Sequence, residues 1–213
     1  VNEKNEVDPT QKIRWEDKTV QHQIPGLEHL ANADLLILFS RLITLPDDQI
    51  KHVIDYLESG KPLIGIRTAN HGFLENFPYE VAGRKVRFGD DVLGGSFRGH
   101  HGNWHADSTR GLIIEKNKQH PILIGVEDVW GPSDVYRTYP EGKTLGGDCT
   151  ALLEGQPLMG RSHDDEVNTK KIPLPIAWTK TWTGNSGEKA RVFHVTMRSA
   201  KDYQSAGLRR LNT

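Results

Sequence analysis

Apolar and polar positions fall into blocks between Asp34 and Phe73, and these blocks predict the scaffold. Residues 35–39 (LLILF) form an apolar run of the length and type of a buried strand. A polar link follows, and Pro46-Asp47-Asp48 reads as a helix start. Proline loses nothing there, because the first amides of a helix lack partners, and two carboxylates suit its positive end. Ile50, Val53, Ile54 and Leu57 recur at helical spacing and give that helix one apolar face. Gly60 stands where a C-terminal cap belongs, and Pro62 forbids continuation. Residues 63–66 (LIGI) are a second apolar run. Strand, helix and strand within about thirty residues make a βαβ unit, which requires two parallel strands joined right-handedly.

The remaining pattern is weaker. Residues 1–23 are polar and read as loop with one helical turn, and residues 24–30 as a short helix or turn. Residues 74–109 are irregular, with Gly94, Gly95 and Gly99 breaking any long element. Short strands are expected at 112–115, 151–153, 174–178 and 190–196, with Pro173 and Pro175 marking an edge or a bulge at the start of the third. Leu208 and Leu211 open a terminal helix that stops early. The central sheet is expected to be parallel and to include residues 35–39, 63–66 and 191–195.

Composition narrows the function classes. The chain has 213 residues, which suits one domain, and a net charge of -1 from 27 basic and 28 acidic residues. That balance gives no general attraction to nucleic acid or an anionic membrane, and no apolar run approaches a membrane span. The lone Cys149 excludes an internal disulfide. The expected location is cytoplasmic, or exported if a signal peptide has been removed. Ten histidines and five tryptophans are the unusual feature, and several lie in loops.

Candidate chemistry follows from placement. Loops at the carboxyl ends of strands line the ligand crevice of an open α/β sheet, which points to Arg67 and His71 directly after residues 63–66. The densest polar-aromatic stretch is Gly99-His100-His101-Gly102-Asn103-Trp104-His105. The turn Gly65-Ile66-Arg67-Thr68-Ala69 has the shape of a nucleophile elbow with arginine in the nucleophile's place. Cys149 lies elsewhere and reads as a packing residue. No Gly-x-Gly-x-x-Gly or phosphate loop is present, so no nucleotide cofactor is expected. His100, His101, His105 and Asp107 could supply ligands to a divalent metal, although their spacing matches no specific signature. Carbohydrate fits best. Sugars need flat apolar faces, which Trp104, Trp130, Tyr136 and Tyr139 offer, and directed polar groups, which Arg67, His71, Asn103, Asp134 and Arg137 offer.

The motifs Gly65–Phe73 and Gly99–His105 (GIRTANHGF and GHHGNWH) resemble the trehalose-utilisation, or ThuA-like, family. Further similar stretches are HPIL at 120–123, WGPSDVY at 130–136, PIAWT at 175–179 and GEKARVFH at 187–194, in the right order. The resemblance implies a flavodoxin-like three-layer sandwich with a mostly parallel sheet, related to class I glutamine amidotransferases without their cysteine. It implies a single domain lacking its first strand and the end of its terminal helix. It also implies a sugar or keto-sugar as ligand. The expected catalytic residues are Arg67, His71 and His105, with His100, Asn103, Trp104, Tyr136, Arg137 and His194 holding substrate. In that scheme a neutral His71 or His105 removes a proton beside a carbonyl, and Arg67 or a divalent ion stabilises the oxyanion. Two alternatives stand beside it: a non-catalytic sugar-binding or scaffolding domain, and an amidotransferase-like hydrolase using another residue. A two-fold homodimer is the expected assembly.

Overall fold

A computed structural model describes residues 21–74, 77–139, 145–146, 148–197, 202 and 205–211. The expectation of a loop with one helical turn at residues 1–23 falls almost wholly outside these. The predicted βαβ unit is present. Strand β1 (Leu36–Leu38) leads through helix α1 (Asp47–Glu58) to strand β2 (Leu63–Ile66), and the two strands pair in parallel, Leu36 opposite Leu63. Pro46 is the N-cap of α1, and the helix buries Ile50, Val53, Tyr56 and Leu57. Gly60 takes up a φ of 71°, which supplies the left-handed turn that leads out of the helix.

Beyond β2 come a two-stranded hairpin, β3 (Glu80–Val81) with β4 (Arg84–Lys85), and then β5 (Ser108–Ile113), β6 (Val129–Gly131), β7 (Thr150–Leu158), β8 (Leu174–Thr183) and β9 (Lys189–Val195). Seven of these strands form one sheet in the order β1-β2-β9-β8-β7-β5-β6. Only β1–β2 and β2–β9 are parallel; β9–β8, β8–β7, β7–β5 and β5–β6 are antiparallel. The expectation of a mostly parallel sheet is therefore corrected: the fold is mixed α/β with a mostly antiparallel sheet, and no clear flavodoxin-like sandwich is seen. The physical reason lies in the connections. A parallel neighbour requires a long crossover, normally a helix, whereas five residues suffice between β8 and β9. Among the described residues after β2, every helix, including α2 (Ala206–Arg210), is only three to five residues long.

Other boundaries shift as well. The strand expected at 151–153 extends over all of β7, and the one at 174–178 over all of β8, which lies inside the sheet and not at an edge. The prolines at its start accompany a bulge, since the β7–β8 register shifts around Leu153, next to the Glu154–Pro175 pair. The run at 35–39 is not a buried strand: β1 is three residues long at the sheet's edge, with Ile37 58% and Phe39 57% exposed.

Two hydrophobic clusters lie on either side of the sheet. One joins α1 to Leu63, Val192, Phe77, Phe88 and Leu93; the other joins Leu152, Leu153, Ile176 and Val195 to Leu123 and Leu208. No helix among the described residues is long and apolar enough to cross a membrane.

These clusters set an expected contrast. Leu152→Ala removes a fully buried side chain and should lower stability by about 2–5 kcal/mol. Ile37→Ser, on the exposed edge strand, should stay within about 0.5 kcal/mol. Urea unfolding of both variants checks this, and equal losses would contradict the assignment of β1 to an edge.

Candidate functional site

The parallel strands β1, β2 and β9 end at the same edge of the sheet, and the candidate site is built there. Directly after β2 the chain turns sharply at Arg67, whose φ is 42°. A residue other than glycine at positive φ is uncommon and costs about 1 kcal/mol or more, so the neighbouring structure must hold it. It does so through the guanidinium. Arg67 is buried, and its Nη1 donates to the carbonyl of Thr196, just after β9, at 3.2 Å and to that of Asp134 at 3.5 Å. Its Nη2 lies 3.6 Å from the buried carboxylate of Asp134, and its charge stands 4.3 Å from the centre of the Tyr136 ring.

Asp134 also holds His100. The second carboxylate oxygen pairs with His100 Nδ1, so one buried acid is shared between an arginine and a histidine. A carboxylate can only accept when ionised, so the ring proton sits on Nδ1 and the lone pair of Nε2 is left for a ligand. The loop that carries His100 is stitched to the strand-like segment after β6. Arg98 N donates to Arg137 O (2.8 Å), Arg137 N to Gly99 O (2.9 Å) and His101 N to Val135 O (2.9 Å).

Aromatic rings complete the cluster. Phe97 stands between His71 (4.7 Å), Tyr136 (4.7 Å) and His100 (5.2 Å), and His71 lies 5.8 Å from Tyr136. Trp104 leans on His100 at 5.5 Å and on His105 at 4.2 Å, and its ring is otherwise exposed. His71 donates from Nδ1 to the side-chain oxygen of Asn70 at 2.7 Å. Burial, reinforced by the charges of Arg41 and Arg67, pulls the His71 pKa down to about 4, so the ring is neutral at pH 7.

Of the nine residues expected from the sequence, Arg67, His71, His100 and Tyr136 converge directly, with Trp104 and His105 stacked outward from them. Three do not join them. Asn103 folds back on its own loop, with its backbone N 2.8 Å and its side chain 3.1 Å from Asp107. Arg137 donates to the carbonyl of Arg98 and so pins the loop. His194 lies within β9, not after it, and is 0% exposed. It stacks on Trp178 and donates from Nδ1 to Gly65 O at 2.8 Å. Gly65 is required by this contact, since a Cβ there would stand 2.8 Å from the ring. His194 is thus a core residue, and burial lowers its pKa to about 3.

The metal set also separates. His100 is turned to Asp134, Asp107 to Asn103, and His101 donates from Nε2 to Ile172 O at 2.7 Å. Among the described residues no three side chains of ligand type are grouped to hold an ion. Trp130 packs on His163 away from these rings, at 5.8 Å. Cys149 stands beside Gly94 and Trp178, and burial pushes its thiol up to about 11, which keeps it protonated and a poor nucleophile.

Sequence reasoning missed Phe97, Asn70 and Arg41. Arg41 was within reach of the rule already applied to Arg67. It follows β1, and that segment runs beside the one after β2, with Leu42 N donating to His71 O at 2.8 Å and Ile43 N to Gly72 O at 2.9 Å. Arg41, Asn70, His71 and Phe97 all line a cavity of about 930 Å³.

No protein-family model and no curated protein sequence matches the chain. Solved structures do. A protein of Bacteroides uniformis ATCC 8492 described as ThuA-like superposes with a TM-score of 0.55 at 17% identity, over 87% of this chain and 68% of that one. A second, from Parabacteroides merdae ATCC 43184 and described in the same way, gives 0.55 at 13% identity, over 85% and 68%. The chain therefore has the fold of these ThuA-like proteins.

The depressed histidines give a pH dependence with a definite sign. The unfolded chain takes a proton on each ring near pH 6.5, but the folded chain takes one on His71 only near 4. Between those values unfolding binds protons, so stability falls as pH falls. Urea midpoints at pH 7, 5 and 4 should decline, and His71→Gln should decline less. An equal slope for both would show that His71 titrates normally.

Proposed function

We propose that this chain is a trehalose-utilisation-related protein of the ThuA-like family that binds a sugar or keto-sugar at the His71–His100–Tyr136 cluster. The fold likeness supports the family, and the motifs from Gly65 to Phe73 and Gly99 to His105 add to it. The observation that carries the site is the sharing of Asp134 between Arg67 and His100. An imidazole oriented by a buried carboxylate, with its other nitrogen unbonded among the described residues, is the arrangement of a general base held in one tautomer. Rings of Tyr136, Phe97 and Trp104 around it offer flat apolar faces for the C–H surface of a pyranose.

In the catalytic form of this reading, His100 and not His71 removes the proton beside the carbonyl of a keto-sugar. His71, with a pKa about 4, is a weak base at neutral pH, and with its proton on Nδ1 its other nitrogen can accept a hydrogen bond from a sugar hydroxyl. The C–H bond breaks, its electron pair moves onto the carbonyl oxygen, and the proton passes to Nε2 of His100. Asp134 then balances the imidazolium that forms. Arg67 is bound to two carbonyls and one carboxylate, so it fixes Asp134 and Tyr136 in place and is a positioning residue in this scheme.

Nuclear magnetic resonance in deuterium oxide tests both parts. A 3-keto-glucoside should bind saturably and exchange its proton next to the carbonyl with solvent. His100→Ala should slow that exchange about a hundredfold or more. Binding without exchange selects the non-catalytic sugar-binding form. Absence of binding by keto-glucoside, glucose and trehalose alike would overturn the carbohydrate reading.

A further inference from the structure

The cavity lined by His71 is larger than one sugar ring requires, and its lining is of two kinds. Its polar lining includes Arg41, Asn70 and His71, and its apolar lining includes Phe73, Phe77 and Phe88. These three rings are fixed against one another, with centres 4.8, 5.0 and 5.4 Å apart. Val86 and Ile50, both buried in the same core, extend the apolar wall. At about 930 Å³ the space suits a drug-sized ligand, and a lining of apolar side chains with a few polar groups among them is the usual form of such a site.

His71, Asn70 and Phe97 connect the two compartments. They line the cavity, and two of them also face the rings of Tyr136 or His100. A ligand that occupies the polar cluster therefore has the apolar space directly beside it. A free monosaccharide would leave that space unfilled. An apolar substituent on the sugar would fill it and remove aromatic and aliphatic surface from water on both partners. We propose that the cavity seats the apolar aglycone of a glycoside whose sugar ring lies against His71 and Tyr136. This rests on the carbohydrate reading of the cluster, and it names the substrate class as aryl or alkyl glycosides over free sugars.

Calorimetric titration of the whole chain with methyl and phenyl β-glycosides of glucose and galactose tests it. The phenyl glycoside of the preferred sugar should bind at least about tenfold more tightly than its methyl counterpart, as burial of a phenyl group permits. Leu74 lines the cavity and is half-buried. Leu74→Asp makes the space polar, and Leu74→Trp fills it; both should abolish the phenyl preference and leave the methyl glycoside's affinity unchanged. Two variants of opposite character guard against a loss caused by misfolding. Equal affinity of the two glycosides for the unaltered chain, or a preference that survives both variants, overturns the aglycone site and leaves the sugar reading standing. If none of these glycosides binds but the 3-keto-glucoside does, the aglycone site falls and the sugar reading stands; if the 3-keto-glucoside, glucose and trehalose fail to bind as well, both fall.

Discussion

One buried carboxylate governs the functional edge of this molecule. Asp134 is buried, and its carboxylate is paired with a guanidinium on one side and an imidazole on the other. Removal of Arg67 leaves the carboxylate's charge without compensation, and removal of His100 leaves one of its oxygens without that donor, so Arg67, Asp134 and His100 form a unit and not three separate contacts. They come from distant parts of the chain: the turn after β2, the segment after β6 and the loop before β5. Their pairing ties three otherwise separate loops together. The unusual backbone of Arg67 is tolerated because the same side chain is anchored to Thr196 and Asp134.

Much of the first half of the fold was legible in local pattern. Asp47–Glu58 declares itself through its proline, its acids and its apolar stripe, and the parallel pairing of β1 with β2 follows from the helix between them. Apolar runs alone could not say which strand lies at an edge. Residues 35–39 are apolar on both parities, as buried parallel strands are, yet β1 has a neighbour on one side only. The antiparallel half was also present in the sequence as an absence of helical spacing between residues 74 and 205. The family resemblance carried a parallel sandwich past that signal.

The site divides in the same way. Topology alone pointed to Arg67 and His71, because both follow a strand at its carboxyl end. His100 and Tyr136 came from a dense motif and a resemblance. What no spacing reveals is which way a ring points. His194 sits one residue from the end of β9, and strand alternation turns it into the core against Gly65 and Trp178. Asn103 spends its groups on its own loop and Arg137 on the neighbouring loop at Arg98, uses that only three-dimensional proximity discloses.

The ladder between residues 98–101 and 135–137 has an evolutionary corollary. Its bonds run from main chain to main chain, so they are indifferent to side-chain identity. Phe97 and Trp104 lie on or beside this segment and make no part of those bonds. Mutation at such positions can therefore alter what the molecule recognises without moving the loop that presents it. A scaffold with this property drifts readily among related ligands, because novelty at the rim carries little penalty in folding.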